Sequence, residues 1–171
     1  MTDLVAGIDP GKSGAIVVLH RGAIVKWGLL STIVPKLFLQ EMRVREIWIE
    51  KAQVMGKESA RAMFTYGREY GYMIGTLTGH GFDINYVPPS VWTGVLHKKS
   101  PTTFDNPKAT SLFVARTIWP TMDWRASEKS RMPHDGIIDA ALIAWYGWRY
   151  GGNTANPKNG VAEGGNQKPD N

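Results

Sequence analysis

Four carboxylates stand where a fold can aim them at little cost. Asp9 closes the apolar run Leu4-Val5-Ala6-Gly7-Ile8, and Glu50 closes Val44-Arg45-Glu46-Ile47-Trp48-Ile49. Asp135 and Asp139 lie four residues apart at the head of a long apolar segment, a spacing that puts both on one face of a helix. Like charges at that spacing repel. Asp139 is also embedded in Ile137-Ile138-Asp139-Ala140-Ala141-Leu142-Ile143-Ala144, where a carboxylate is expensive unless paired or bound to a cation. Taken singly, each acid has a structural explanation: Asp9 precedes a Pro-Gly turn, and an Asp at a helix start is favoured by the helix dipole. Gathered together, they would do chemistry. Hard oxygen donors select Mg2+ or Mn2+. Two such ions ~4 Å apart clamp the attacking and leaving oxygens of an in-line phosphodiester hydrolysis, which leaves a 5′-phosphate and a 3′-hydroxyl. His134, beside Asp135, is either a ligand or water-positioning group of that site or an exposed helix-entry residue.

The rest of the composition narrows the field. The chain has 171 residues, 43% hydrophobic and 20% charged, which suits one domain with a packed core. It has no cysteine, so disulfide scaffolds, thiolate metal sites and cysteine nucleophiles are excluded. No apolar run reaches the ~18 residues of a membrane span, and the chain reads as cytoplasmic with no membrane partner. The formal charge is +5, a pointer to nucleic acid. Residues 96–131 hold Lys98, Lys99, Lys108, Arg116, Arg125, Lys129 and Arg131 against Asp105, Asp123 and Glu128. Loops of that charge suit backbone phosphates. Lys51, Lys57, Arg61 and Arg68 add cations near Glu50. Gly7-Ile8-Asp9-Pro10-Gly11-Lys12-Ser13 looks like a phosphate loop but has three residues between its glycines where a P-loop has four.

The elements that must position these residues follow from pattern. Short apolar runs over 4–9, 15–19 and 23–29, joined by Gly-containing turns, predict an antiparallel meander. Helical spacing over 32–42 is followed by a fourth strand over 44–50, a long helix over 57–78 and a fifth strand over 82–87, stopped by Pro88-Pro89. A short helix over 90–96, a polar loop over 97–107, a helix over 108–118, a second polar loop and a final helix over 133–148, with Pro133 at its first position, complete the order. Three antiparallel strands followed by strands alternating with helices make a mixed sheet covered by helices, an α/β fold. Residues 1–150 form the domain, and 151–171, rich in Gly, Asn, Lys and Pro, read as a disordered tail. Gly67, Gly71 and Gly75 recur every four residues in the long helix and predict a flat seam against another helix or the sheet, or a dimer interface. Trp145 and Trp148 are expected in the core.

Three stretches resemble RuvC-type Holliday junction resolvases over about residues 4–149. These are Gly7-Ile8-Asp9-Pro10-Gly11-Lys12-Ser13-Gly14-Ala15, Ile49-Glu50 with Val54-Met55-Gly56-Lys57, and Pro133-His134-Asp135-Gly136 continuing to Ala144. Lys108-Ala109-Thr110-Ser111-Leu112 and Pro120 are similar to the phage and chloroplast branch. The resemblance implies a ribonuclease H-like fold with a five-stranded mixed sheet, a homodimer, divalent metal and paired incision of four-way DNA junctions. By motif position Asp9, Glu50 and Asp139 carry over as metal ligands. Many bacterial members place the last two acids three apart, which would put one at Gly136. Here the earlier acid is Asp135, and Asp135 and His134 compete for the fourth ligand position. Lys108 is implied as a DNA contact, with Lys98, Lys99, Lys57 and Arg61 as further phosphate contacts. The Gln53–Gly56 loop implies an apolar wedge, Val54 or Met55, at the crossover. An RNA–DNA hybrid nuclease on the same scaffold and a non-catalytic junction-binding protein are the competing readings.

Overall fold

Residue alternation along the strands decides what each sheet face buries. The computed structural model describes residues 4–44, 46–53, 59–99 and 104–151, with the side chain of Lys99 left out. Five strands, β1 (Leu4–Asp9), β2 (Ala15–His20), β3 (Ala23–Leu29), β4 (Glu46–Glu50) and β5 (Asp83–Val87), form one sheet in the order β3-β2-β1-β4-β5. β3, β2 and β1 are mutually antiparallel, whereas β4 runs parallel to β1 and β5 parallel to β4. Five α-helices flank it: α1 (Pro35–Glu41), α2 (Ala60–Gly79), α3 (Pro89–Leu96), α4 (Pro107–Ile118) and α5 (Asp135–Tyr150). The predicted mixed sheet and element order are those observed. Residues 97–99 form a 3-10 turn rather than loop, and α5 starts later than predicted. His134 is its N-cap and Pro133 precedes the helix instead of opening it, an arrangement fixed by the bond from the His134 amide to the Trp124 carbonyl (2.7 Å).

Two hydrophobic layers result. Ala6, Ile8, Ile16, Val18, Ile47 and Ile49 face α1 and α2, where they meet Phe38, Leu39 and Leu77. Val5, Ala15, Val17, Leu19 and Trp48 face the other way, onto Ile137, Ile138, Ala141, Leu142 and Ala144 of α5. By the two-residue period of a strand, Asp9 and Glu50 belong to this α5 face.

Helix α5 lies directly on the central strand. A Cβ at Gly7 would overlap the Ala140 carbonyl and the Ala144 amide, so only glycine lets strand and helix approach this closely. At the other end of β2, the turn at Arg21 and Gly22 has positive φ at both residues (51° and 82°), the form that suits a two-residue hairpin. Trp145 and Trp148 pack against Gly22, and the Trp119 indole donates to its carbonyl at 2.9 Å. The two tryptophans of α5 thus border the core, half-buried.

Among the described residues, the glycine stripe of α2 packs against neither the sheet nor another helix. Nothing lies within 4 Å of a Cβ built at Gly67, Gly71 or Gly75, all three exposed. α2 meets the sheet with Tyr70, Met73, Ile74 and Leu77, a different face. Phe64 and Tyr72 are 73% and 78% exposed on the same helix. No helix among the described residues is long and apolar enough to cross a membrane. Val54, Met55, Lys57 and residues 152–171 lie outside the described residues.

Candidate functional site

Parallel pairing of β1 and β4 ends at Ile8 opposite Ile49, so Asp9 and Glu50 emerge side by side at the same end of the sheet. The first turn of α5 covers them from one face. A Cβ at Gly136 would overlap the Ser13 carbonyl and would stand 3.2 Å from Asp9 Oδ2. This closes position 136 to any acid and explains why the carboxylate sits at Asp135. The structure therefore brings acids from three distant stretches into one electrostatic neighbourhood. Burial first, then the charges of Asp139, Glu50 and Asp135, push the Asp9 carboxyl up to about 8, against a weaker downward pull from Lys108. Asp139 rises to about 7, chiefly through burial and then the Glu50 charge, with a hydrogen bond from Ser111 opposing. Burial raises Glu50 as well. Asp135 is the exposed member.

The α3–α4 segment gives one donor each to three of the four acids, Glu50, Asp139 and Asp135. The Trp92 indole donates to Glu50 Oε2 at 2.9 Å, Ser111 donates to Asp139, and the Lys108 ammonium pairs with Asp135. Ser111 in turn stands 3.1 Å from His97 Nε2. Since the serine proton goes to Asp139, His97 Nε2–H donates to Ser111, and burial lowers the His97 pKa toward the neutral form. Trp92 and His97 meet edge to face, with ring centroids 5.9 Å apart. No spacing in the sequence marks Trp92, Ser111 or His97. Their one visible sign is a set of polar groups on apolar helix faces, and Ser111 and Thr110 are the polar residues among those classed as buried.

Trp92→Phe is expected to keep the fold, cost about 1–3 kcal/mol through the lost bond to a charged group and lost contact area, and weaken divalent-metal affinity by roughly tenfold or more, as loss of an outer partner of a ligand does. Titration calorimetry with Mn2+ checks this. Unchanged metal affinity in a folded Trp92→Phe chain would remove Trp92 from the site.

The remaining candidates fall at several places. His134 caps α5, and its Nδ1 is buried with no hydrogen-bond partner. Lys98 is exposed in the 3-10 turn, and Arg61 is exposed in the first turn of α2. Lys108 is held by Asp135 at the mouth of the acidic cluster. Among the described residues, no group of three or more His, Asp or Glu side chains has the geometry to hold a metal ion as it stands. The donor set is nevertheless all hard oxygen, partly buried at Asp9, Glu50 and Asp139, mutually repelling and faced by one ammonium, chemistry that would suit Mg2+ or Mn2+.

A five-stranded mixed sheet of this order, helices on both faces, is the ribonuclease H-like fold. Two solved structures share it. Thermus thermophilus RuvC in complex with a Holliday junction substrate superposes with a TM-score of 0.62 over 90% of this chain and 97% of that chain, at 14% identity. The Thermus thermophilus RuvC structure superposes with a TM-score of 0.60 over 90% of this chain and 98% of that chain, at 16% identity. At such identity the likeness is one of fold. No protein-family model matches the sequence, and no curated protein matches it.

Proposed function

We propose that this chain is a structure-selective, metal-dependent DNA endonuclease that cuts four-way (Holliday) or other branched DNA as a homodimer. The observation that carries the reading is the shared field of Asp9, Glu50, Asp135 and Asp139 at one end of the sheet, in a fold also used by a protein solved with a Holliday junction. Asp9, Glu50 and Asp139 hold Mg2+ or Mn2+, with Asp135 or His134 as the fourth ligand. Bound there, the metal would supply activation of a water and stabilisation of the departing 3′ oxygen, and the products would carry a 5′-phosphate and a 3′-hydroxyl. The chain's own residues do the rest. Trp92 and Ser111 hold Glu50 and Asp139 in place, and Lys108 exchanges Asp135 for a DNA phosphate. Lys98, Lys99, Lys57 and Arg61 bind neighbouring phosphates, and Val54 or Met55 wedges the crossover. Membership of the phage and chloroplast branch rests on the Lys108–Leu112 stretch and Pro120.

The test is incubation of a labelled four-way junction with Mg2+, Mn2+ or EDTA, beside RNA–DNA hybrids and flaps. Cutting of the junction in metal and not in EDTA supports the reading; preference for the hybrid supports the related nuclease. One observation favours a third reading, a junction-binding protein that does not cut: the acids form no ready chelate. It requires binding without metal-dependent cleavage by the wild type.

The exposed glycine stripe of α2, with Phe64 and Tyr72, is assigned to a second copy of the chain. A two-fold axis through it gives two sites on opposing strands of a symmetric junction. Gly71→Leu is expected to shift the sedimentation mass toward the monomer while leaving monomer stability within about 1 kcal/mol, because a Cβ at this exposed position meets nothing within 4 Å among the described residues. An unchanged mass would place the interface elsewhere.

A further inference from the structure

The hydrogen bonds behind the acids do not end at Trp92 and Ser111. We propose that His97 is a positioning residue of the metal site: its Nε2–H keeps the Ser111 hydroxyl turned toward Asp139, and its ring completes a bracket that links Asp139 to Glu50 through residues outside the acidic cluster. The inference rests on the reading of the acids as metal ligands and adds to it a residue that touches none of them.

Ser111 has a choice of acceptor. It is 5% exposed, so its one hydroxyl proton must find a partner inside the protein. Hydroxyls on helices commonly donate to the carbonyl four residues back. In this chain Thr93, Thr110 and Thr117 do so, to Pro89, Asn106 and Phe113 at 2.6, 3.5 and 2.9 Å. Ser111 shares α4 with two of them yet sends its proton across to Asp139. What sets it apart is a second side-chain partner, His97 Nε2 at 3.1 Å. An N–H donated to the serine oxygen leaves that oxygen's own proton for Asp139. It also strengthens the bond to Asp139, since linked hydrogen bonds polarise one another. The imidazole is itself held in place. His97 is the C-cap residue of α3, and its ring stands edge-on to Trp92, planes 85° apart. The Trp92 indole is tied to Glu50 Oε2. One series of contacts therefore runs from Glu50 through Trp92, His97 and Ser111 to Asp139. Its two ends are carboxylates that repel each other. Holding both from α3 and α4 fixes their oxygens before a cation arrives, which is what outer partners of metal ligands do.

The test is Mn2+ binding to the full chain by titration calorimetry, with folding followed by circular dichroism and junction cutting in Mg2+ assayed alongside. His97→Phe keeps a ring against Trp92 and removes both nitrogens. His97→Gln gives up the ring and returns an N–H at the reach of Nε2, whereas the shorter His97→Asn stops at the reach of Nδ1. His97→Phe should bind Mn2+ about tenfold more weakly, the low end of what an outer partner is worth, and His97→Gln should return to within about threefold of the wild type. Ser111→Ala should bind at least as weakly as His97→Phe. Adding His97→Phe to Ser111→Ala should cost nothing further, because His97 acts through that hydroxyl. If His97→Phe fails to fold, His97→Asn takes its place in the comparison with His97→Gln. Wild-type Mn2+ affinity in the folded variant that lacks the donor, equal losses with and without the donor, or losses that add in the double variant overturn the bracket. Any of these together with junction cutting by the wild type sinks the bracket alone. The expected Mn2+ pattern without cutting upholds the bracket and sinks the nuclease, and a wild type that binds no Mn2+ sinks both.

Discussion

Chains carrying Asp9→Asn or Asp139→Asn are expected to bind a four-way junction as the wild type does and to leave it uncut. Each change keeps the shape of the side chain and removes its charge. The affected carboxylates are the two that burial and mutual repulsion hold highest, at about 8 and about 7, so each surrenders a strong oxygen donor from the centre of the cluster. Loss of a direct ligand is expected to lower nicking more than about a hundredfold, beyond the range seen for outer partners. Neither change removes a cation proposed to bind phosphate, so the dissociation constant measured by gel shift in EDTA is expected to stay within about threefold. Cleavage retained by either variant ends the assignment of that residue as a ligand.

Without metal, the protein loses stability as the pH rises from about 4 to about 8. The sign follows from the proton count. The Asp9 carboxyl titrates at 3.8 in an unfolded chain and at about 8 in the folded one, and Asp139 at 3.8 and about 7. Between those values the folded chain holds protons that the unfolded chain has released, so raising the pH favours unfolding. Stability from these groups is fully present below 3.8 and is gone once the pH passes the folded values. Each pH unit inside the window is worth up to about 1.4 kcal/mol per group, and each kcal/mol is about 2–4 °C for a domain of this size. Thermal scans in EDTA should show Tm falling between pH 5 and pH 8. Asp9→Asn should raise Tm at pH 8 and remove much of the slope, and millimolar Mg2+ should flatten the wild-type curve. A wild-type Tm that rises or stays level over that interval in EDTA would mean that the carboxylates are not crowded in solution.

How far the sequence reveals this arrangement depends on the kind of signal each residue leaves. Strand alternation and helical spacing are periodic, so the five strands and the order of the helices were legible, as was the placing of Asp9 and Glu50 at strand ends. The i,i+4 spacing of Asp135 and Asp139 foretold a shared helix face. Their meeting with β1 was implied by the family resemblance and not by spacing, because it depends on Gly7 and Gly136, whose importance is a lack of side chain that no periodicity marks. Trp92, Ser111 and His97 were invisible for a related reason. Each acts through one hydrogen bond across α3, α4 and the sheet, and a single long-range bond has no sequence pattern. The glycine stripe of α2 was seen but its partner was misplaced in part, since the sheet contacts another face of the helix. Pro133 looked like a helix opener because Pro favours that position; a backbone bond from His134 to Trp124 moved the start by two residues.

The seating of α5 against Gly7 joins a strand to a helix that lies more than a hundred residues later in the chain. Contacts of such separation form late and slowly. On the proposed function, a ribosome-bound chain whose final helix is still in the exit tunnel lacks both Asp139 and the helix that covers Asp9, so it is expected to leave DNA uncut while half made. Fragments truncated before residue 135 should share that harmlessness, a safeguard that comes from topology alone.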